Sequence, residues 1–327
     1  MKGIKIKSIG AYAPSLIVSN DHLSEIVDTS DEWIRERTGI IERRITTGED
    51  TSEIATQAAK MALDRAKIDP SEIDVIIVAT VTPDNYCPSV ACMVQKNINA
   101  TNAIAFDINA ACTGFVFGMD IGYSMMKAND SYNNILIIGA ETLSKVIDWE
   151  DRSTCVLFGD GGGAMVLSRE EVSKEKYFSF NVKSVGEKGD CLRIGAEDVK
   201  NPFIKNNAEL KNKKLVMNGG EVFKFATGAI YKSIEKVLND SNLKIDDIDY
   251  IVPHQANYRI IEYTAKKLKI DVEKFYINLD RYGNTSSASI PIALNEMYEK
   301  NLFKENMKVI LVGFGGGLTY GSALIEL

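Results

Sequence analysis

The sequence is poor in the residues on which several functional classes depend. Only His22 and His254 are histidines among 327 residues, and no Cys-x-x-Cys pair occurs. The five cysteines (Cys87, Cys92, Cys112, Cys155 and Cys191) are odd in number and scattered. Neither a metal site nor a disulfide framework is therefore expected, and a reducing cytoplasm is the expected compartment. An excess of positive charge is also missing. Thirty-eight Lys and Arg against 45 Asp and Glu leave a formal net charge of −7, which argues against nucleic-acid binding. No run approaches the roughly 18 apolar residues that a membrane-crossing helix needs. Met1 to Lys7 alternates charged and apolar residues as a strand does, and lacks the apolar stretch of a secretory signal. With 45% hydrophobic and 25% charged residues, the composition is that of an ordinary globular protein.

What is present is an alternation of two patterns. Asp74 to Ala79, Ile104 to Asp107 and Ile135 to Gly139 are short, almost wholly apolar runs, as strands are when both faces of a sheet are covered. Helical stretches are expected at Ser52–Lys67, Ser89–Asn97 and Cys112–Lys127, so the order predicts an α/β fold. The second half repeats the first. Ala62 to Asp74, a helix end leading into a strand, has its counterpart at Val237 to Asp249, and Asn134 to Gly139 has its counterpart at Lys308 to Gly313. Both pairs are displaced by 174 or 175 positions (135 to 309, 73 to 248). So long a period predicts a duplicated domain rather than a solenoid. The expected halves are 1–172 and 173–327, joined by the charged stretch from Arg169 to Lys176. Lys200 to Lys214 is expected to be an exposed loop.

Three residues stand where chemistry is expected. Cys112 ends Asp107-Ile108-Asn109-Ala110-Ala111-Cys112, where a strand gives way to small residues and then a helix. A thiol at a helix N-terminus feels the positive end of the dipole, which favours thiolate; a buried structural cysteine is the equally weighted alternative. His254 follows the second copy of the Val75–Ala79 strand, and strand ends are where ligand groups collect in α/β sheets. Asn284, in Gly283-Asn284-Thr285-Ser286, reads on its own as a turn or helix cap. Of the two glycine runs, Gly159 to Gly163 leads into a strand and not a helix, which excludes dinucleotide binding. Gly313 to Gly317 suits a backbone that must approach a reacting group closely, with free N–H groups as an oxyanion hole.

Together these segments resemble the β-ketoacyl-[acyl-carrier-protein] synthase III family of the thiolase superfamily. The likeness runs from Ser8-Ile9-Gly10 to Gly321-Ser322-Ala323-Leu324. It is carried by Asp28-Thr29-Ser30-Asp31-Glu32-Trp33-Ile34, Arg37-Thr38-Gly39-Ile40, Asn109-Ala110-Ala111-Cys112, Asp151-Arg152-Ser153-Thr154, Pro253-His254-Gln255-Ala256-Asn257, Gly283-Asn284-Thr285-Ser286 and Phe314-Gly315-Gly316-Gly317. The resemblance implies a five-layered αβαβα fold from two duplicated halves, a homodimer, and a catalytic triad of Cys112, His254 and Asn284. It implies an oxyanion hole from the backbone of Cys112 and Gly316, and coenzyme A binding by Thr29, Trp33, Arg37, Arg152 and Asn257. It further implies carrier-protein docking at Lys224, Arg259, Lys266 and Lys267. The implied activity is decarboxylative condensation of an acyl-coenzyme A primer with malonyl-acyl carrier protein, initiating fatty acid biosynthesis. No cofactor is implied, coenzyme A thioester being a substrate.

The same comparison marks departures. Cys87 stands where some members place a bulky apolar residue bordering the acyl pocket, and Gly220 replaces an Asn often found beside the pantetheine arm. Phe314 stands near the position where thiolases carry a second cysteine, and the segment from Ala79 to Asp84 lacks the glutamate of hydroxymethylglutaryl synthases. Two alternatives accompany this reading: a specialised relative serving secondary metabolism, and more remotely a protease, since Cys-His-Asn also serves proteolysis.

Overall fold

A computed structural model describes residues 1–174, 176–198, 203 and 212–327. The first sheet contains β1 (Lys2–Tyr12), β2 (Val75–Ala79), β3 (Ile104–Ile108), β4 (Asn134–Glu141) and β5 (Gly161–Glu171), in the order β1-β5-β4-β2-β3. The second contains β6 (Phe178–Ser184), β7 (Tyr250–Pro253), β8 (Lys308–Gly315) and β9 (Thr319–Glu326), in the order β7-β8-β9-β6. Both are mixed: β2 runs parallel to β3 and β4, and β7 parallel to β8, while the remaining pairs are antiparallel.

The alternation of side chains along these strands builds the layers. On β2, Val75 and Ile77 face one apolar cluster and Ile76 and Val78 another. On β8, Val309 and Leu311 share the cluster of Val75 and Ile77, whereas Ile310 and Val312 turn to a third. The shared cluster also holds Phe115, Val116 and Met119 of α4 (Gly114–Ala128) and Ile290, Ala293, Leu294 and Met297 of α7 (Ser289–Glu299). These two helices are therefore the filling between the sheets. Outside the first sheet lie α2 (Thr51–Ala66) and α3 (Val90–Ile98); outside the second lie α5 (Gly219–Asp240) and α6 (Tyr258–Leu268). The result is the five-layered αβαβα arrangement. A fully buried Ile or Leu contributes roughly 1.5–3 kcal/mol, so a double-sided core of this kind is the main source of stability.

Local sequence explains where the helices start. Asp50 and Glu53 form a capping box for α2, and Ser89, Asn218 and Asn257 cap α3, α5 and α6 with their side-chain oxygens. Helix α2 presents Ala55, Ala58, Ala59 and Ala62 to the sheet, which lets it lie close.

One boundary differs from expectation. Arg169, Glu170 and Glu171 belong to β5 and pair with Ile4, Gly3 and Lys2, so the connection between the sheets begins after them. Their charges are not linker chemistry: Glu170 bridges Lys5 and Lys7 at 2.7 and 2.6 Å. The expected loop from Lys200 to Lys214 lies outside the described residues except for 203 and 212–214.

Candidate active site

Cys112 does not open a regular helix. It lies in a 3-10 turn, Ala111–Thr113, and α4 begins two residues later at Gly114. Ala111 has a φ of +46°, a conformation that non-glycine residues adopt rarely and at a cost. The turn buries the thiol, and that burial decides its chemistry: the Cys112 thiol is pushed up to about 12, only partly opposed by a hydrogen bond with Ser286. Burial therefore works against the thiolate that a helix N-terminus would favour, at a site 7% exposed.

His254 follows β7 directly, and its backbone N–H donates to Val312 O on the adjacent strand at 2.7 Å. Burial takes its imidazole down to about 3, so the ring is uncharged. Its Nδ1 lies 2.7 Å from Ser289 Oγ, which in turn donates to Ser286 O at 2.9 Å. A hydroxyl that spends its proton on a carbonyl can only accept from the ring. In that arrangement Nδ1 carries the proton and Nε2 presents its lone pair.

Asn284 is buried in a loop tied across the sheets, its N–H donating to Leu157 O and its carbonyl accepting from Gly159 N–H. Its Oδ1 accepts from Ser286 N–H at 2.9 Å, which leaves the amide N–H groups to face elsewhere. Ser286 opens a second 3-10 turn, Ser286–Ala288, with a φ of +50°, and α7 follows at Ser289. Ala111 and Ser286, like Gly114 and Ser289, stand 175 positions apart (111 to 286, 114 to 289). The duplication therefore reproduces the strained turn itself.

The glycine run brings the third element in. A Cβ on Gly315 would sit 2.6 Å from Cys112 N, and one on Gly313 would lie 3.5 Å from Cys112 O and 3.6 Å from His254 Cβ. Only glycine permits the approach at Gly315, while Gly313 packs against both Cys112 of the first half and His254 of the second. Gly139 plays the matching part on β4, where a Cβ would meet Ser287 O at 2.3 Å. Gly139→Ala should cost about 1–3 kcal/mol by overpacking, read as a lowered thermal midpoint, with condensation falling further than folding because the Ser286 turn is displaced.

A cavity of about 1020 Å³ opens onto Cys112 and is lined in part by Ser286, Gly316, Phe158, Tyr86 and Leu192. Cys87 is exposed and does not line it, so the expected contact with the acyl pocket is not made within one chain. The segment containing Cys87 precedes the cap of α3 and stays at the surface, with Tyr86 82% exposed. Gly220 lies in the first turn of α5, where an added Cβ would be 3.7 Å from Asn218 Oδ1.

The remaining predicted residues form two groups. The Trp33 ring, on α1 (Asp31–Thr38), has both Arg37 and Arg152 near it, with guanidinium carbons 5.1 and 5.0 Å from its centroid. Arg152 donates to Asp28 O at 2.8 Å, Asn257 Nδ2 donates to Arg37 O at 3.0 Å, and the buried Thr29 hydroxyl has no protein partner. Lys224, Arg259, Lys266 and Lys267 are all exposed on α5 and α6. Lys266 is paired with Glu262 at 3.0 Å and Lys267 lies over Tyr231 at 4.4 Å.

One buried residue escaped the reading of the sequence. Glu141, the last residue of β4, contacts the Ser286 turn. A lone Glu after Ile-Ile-Gly-Ala gives no local sign of its partners. Among the described residues, no group of three or more His, Cys, Asp or Glu is placed to hold a metal ion, and no helix is long and apolar enough to cross a membrane.

Comparison with known proteins bears on this geometry. Residues 106–186 match the family described as 3-oxoacyl-[acyl-carrier-protein] synthase III, and residues 238–327 match its C-terminal region. The chain is 54% identical to the β-ketoacyl-[acyl-carrier-protein] synthase III of Clostridium beijerinckii over 326 residues, covering 100% of each. It is 56% identical to that of Clostridium novyi over 327 residues, covering 100% of this chain and 99% of the relative. The crystal structure of 3-oxoacyl-[acyl-carrier-protein] synthase III from Aquifex aeolicus superimposes with a TM-score of 0.92 at 43% identity, covering 99% of this chain and 100% of that one. Nothing in these relatives favours the protease alternative. The chain belongs to the β-ketoacyl-[acyl-carrier-protein] synthase III family, and it is an acyltransferase, a condensing enzyme of fatty acid biosynthesis.

Proposed function

We propose that Cys112, His254 and Asn284 carry out the initiating condensation, with an acyl-coenzyme A as primer and malonyl-acyl carrier protein as extender. The observation that carries the reading is the place of Gly313, against which Cys112 and His254 both pack, so that a buried thiol and a buried imidazole with Nδ1 engaged by Ser289 converge on one glycine run. In the loading step Nε2 takes the thiol proton, Sγ attacks the thioester carbon, and the oxyanion is met by the N–H groups of Cys112 and Gly316. The bond to the coenzyme A sulfur breaks, and that sulfur leaves with the proton from Nε2. In the condensation the malonyl C–CO₂ bond breaks, and its electron pair forms an enolate held by the Asn284 amide and by His254. For His254 to donate there, Nε2 takes a proton from water and Nδ1 releases one to water, after which the Ser289 hydroxyl turns from Ser286 O to donate to Nδ1. The enolate carbon attacks the acyl carbon, the C–Sγ bond breaks, and the departing Sγ takes up one proton from solvent, which balances the step.

The Arg152 guanidinium near the Trp33 ring supports binding of a flat adenine held between the two, with Thr29 and Asn257 as further polar partners. Coenzyme A enters and leaves as substrate, and no cofactor is invoked. The two halves, 1–172 and 173–327, divide the labour: nucleophile from the first, His and Asn from the second. A homodimer is supported by the free edge of the first sheet, where β3 exposes Ile104 (51%) beside half-buried Phe106 and Ile108. The N–H groups of Val90 and Ala91 donate to Asp107 on this edge, so the Tyr86–Cys87 segment emerges beside the same surface. Incubation with a panel of acyl-coenzymes A and malonyl-acyl carrier protein, with product mass as readout, tests the reading. A 3-oxoacyl-carrier product is expected; absence of product with every primer would overturn it, and a product on another acceptor would establish the specialised alternative.

Docking of the acidic carrier protein to a chain of charge −7 requires a local positive face. We assign it to Lys224, Arg259, Lys266 and Lys267, with exposed Phe223 and Tyr263 in edge contact between α5 and α6. Because Lys266 and Lys267 already have partners, Arg259 and Lys224 carry most of the attraction. Arg259→Glu should raise the apparent KM for malonyl-carrier protein, more at low salt than at high, because exposed charges are screened over roughly 8–10 Å at physiological ionic strength. Loading from coenzyme A should be unchanged; equal damage to both would move the docking face elsewhere.

A further inference from the structure

Glu141 is completely buried, yet its neighbours are hydroxyls and a backbone amide rather than a cation-bearing side chain. Its Oε2 accepts from Val81 N–H at 3.0 Å, from Thr80 Oγ1 at 3.1 Å and from Thr82 Oγ1 at 2.7 Å. Its Oε1 lies 3.0 Å from Ser286 Oγ and 2.9 Å from Ser287 Oγ. One carboxyl group thus joins a loop of the first half to the turn of the second half that follows Asn284.

The protons can be counted. Ser287 Oγ is also 2.8 Å from Ala79 O, and a hydroxyl has one proton for two acceptors. The carbonyl of Ala79 can only accept. If Ser287 donates to it, the 2.9 Å contact with Oε1 needs a proton from the carboxyl. An uncharged Glu141 satisfies every contact, and burial raises its pKa in the same direction.

The link to the chemistry runs through Ser286, which contacts Oε1 with its hydroxyl and holds Asn284 Oδ1 with its N–H at 2.9 Å. Ser286 keeps a left-handed backbone, φ +50°, which persists only where its surroundings over-determine it. We propose that Glu141 is a positioning residue for the condensation: it clamps the Ser286–Ser287 turn to the Thr80–Thr82 loop and thereby fixes the orientation of the Asn284 amide. This role rests on the assignment of Asn284 made above.

The test separates two half-reactions on the full chain: acyl transfer to Cys112, read by intact mass, and CO₂ release from malonyl-carrier protein. If the unmodified enzyme performs neither, it is the assignment of function that fails. Glu141→Gln, whose amide can donate to Ser287 while its oxygen accepts from Val81 and Thr82, should keep both half-reactions within about threefold. Glu141→Leu should lower CO₂ release at least thirtyfold and the ratio of CO₂ release to loading at least tenfold. In an Asn284→Ala background the same leucine substitution should add less than a twofold loss, because the amide it orients is already gone. Should the leucine variant not fold, Ser286→Ala decides, with a loss of about tenfold in CO₂ release that likewise disappears in the Asn284→Ala background. A loss in either variant that persists in that background, an equal loss in both half-reactions, or a glutamine variant impaired more than tenfold overturns the proposal.

Discussion

Replacing Cys112 with alanine or serine is expected to abolish acyl loading, so that incubation with an acyl-coenzyme A adds no mass to the protein. The alanine variant removes the only sulfur among the described residues that line the cavity opening onto Gly316 and Ser286. The serine variant is the sharper test. A hydroxyl is far harder to ionise than a thiol, and the burial that pushes Cys112 up to about 12 would act on an alkoxide as well. His254 has little capacity to compensate, because burial lowers its own affinity for a proton to a pKa of about 3. Loading by the serine variant should therefore fall by at least about 10⁴, more than general-base assistance can restore. Both variants should still release CO₂ from malonyl-carrier protein, since the groups that hold the enolate do not include the sulfur. Acyl mass on either variant would show that another residue is the nucleophile.

The second large effect is a division between His254→Ala and Asn284→Ala. In the proposed roles Asn284→Ala removes an enolate donor alone, so CO₂ release should fall by about 10²–10³ while loading stays within about threefold. His254→Ala removes the same kind of donor and also the acceptor of the thiol proton. It should lose CO₂ release at least as severely, and loading should fall by about 10² as well, the lower end of what a positioned base provides. This second loss follows from the resting thiol being uncharged; a dipole strong enough to ionise Cys112 would let His254→Ala load normally. Single-turnover loading, followed by mass with each variant at equal concentration, separates the two. Equal loading by both variants would return the activation of the thiol to the helix.

Much of the architecture was legible because it rests on short-range patterns. The runs at Val75–Ala79 and Ile135–Ile138 show sheet burial on both faces, and the offset of 174 or 175 between halves predicts their likeness. The helical stretches expected at Ser52–Lys67 and Ser89–Asn97 are found at Thr51–Ala66 and Val90–Ile98. What escaped is set by distance in sequence. The protonation of Cys112 depends on how deeply its turn is buried, and no residue near it states that depth. The charged stretch at Arg169 reads as a linker until Lys5 and Lys7, more than 160 positions earlier, are found beside Glu170. The contacts of Glu141 likewise come from residues some 60 and 145 positions away.

The repeated turn has one more consequence. With an offset of 175, the counterpart of Cys112 is Ser287, and with an offset of 174 the counterpart of Gly315 is Glu141. In the first of these places a glycine leaves the space beside the sulfur open; in the second a carboxyl fills it and grips the serine. The molecule thus contains a stoppered twin of its own reaction chamber, built on the same bend and plugged from the strand that elsewhere supplies an opening. Filling that space turns the second bend into a foundation for the first, so that the repeated turn serves one reactive centre.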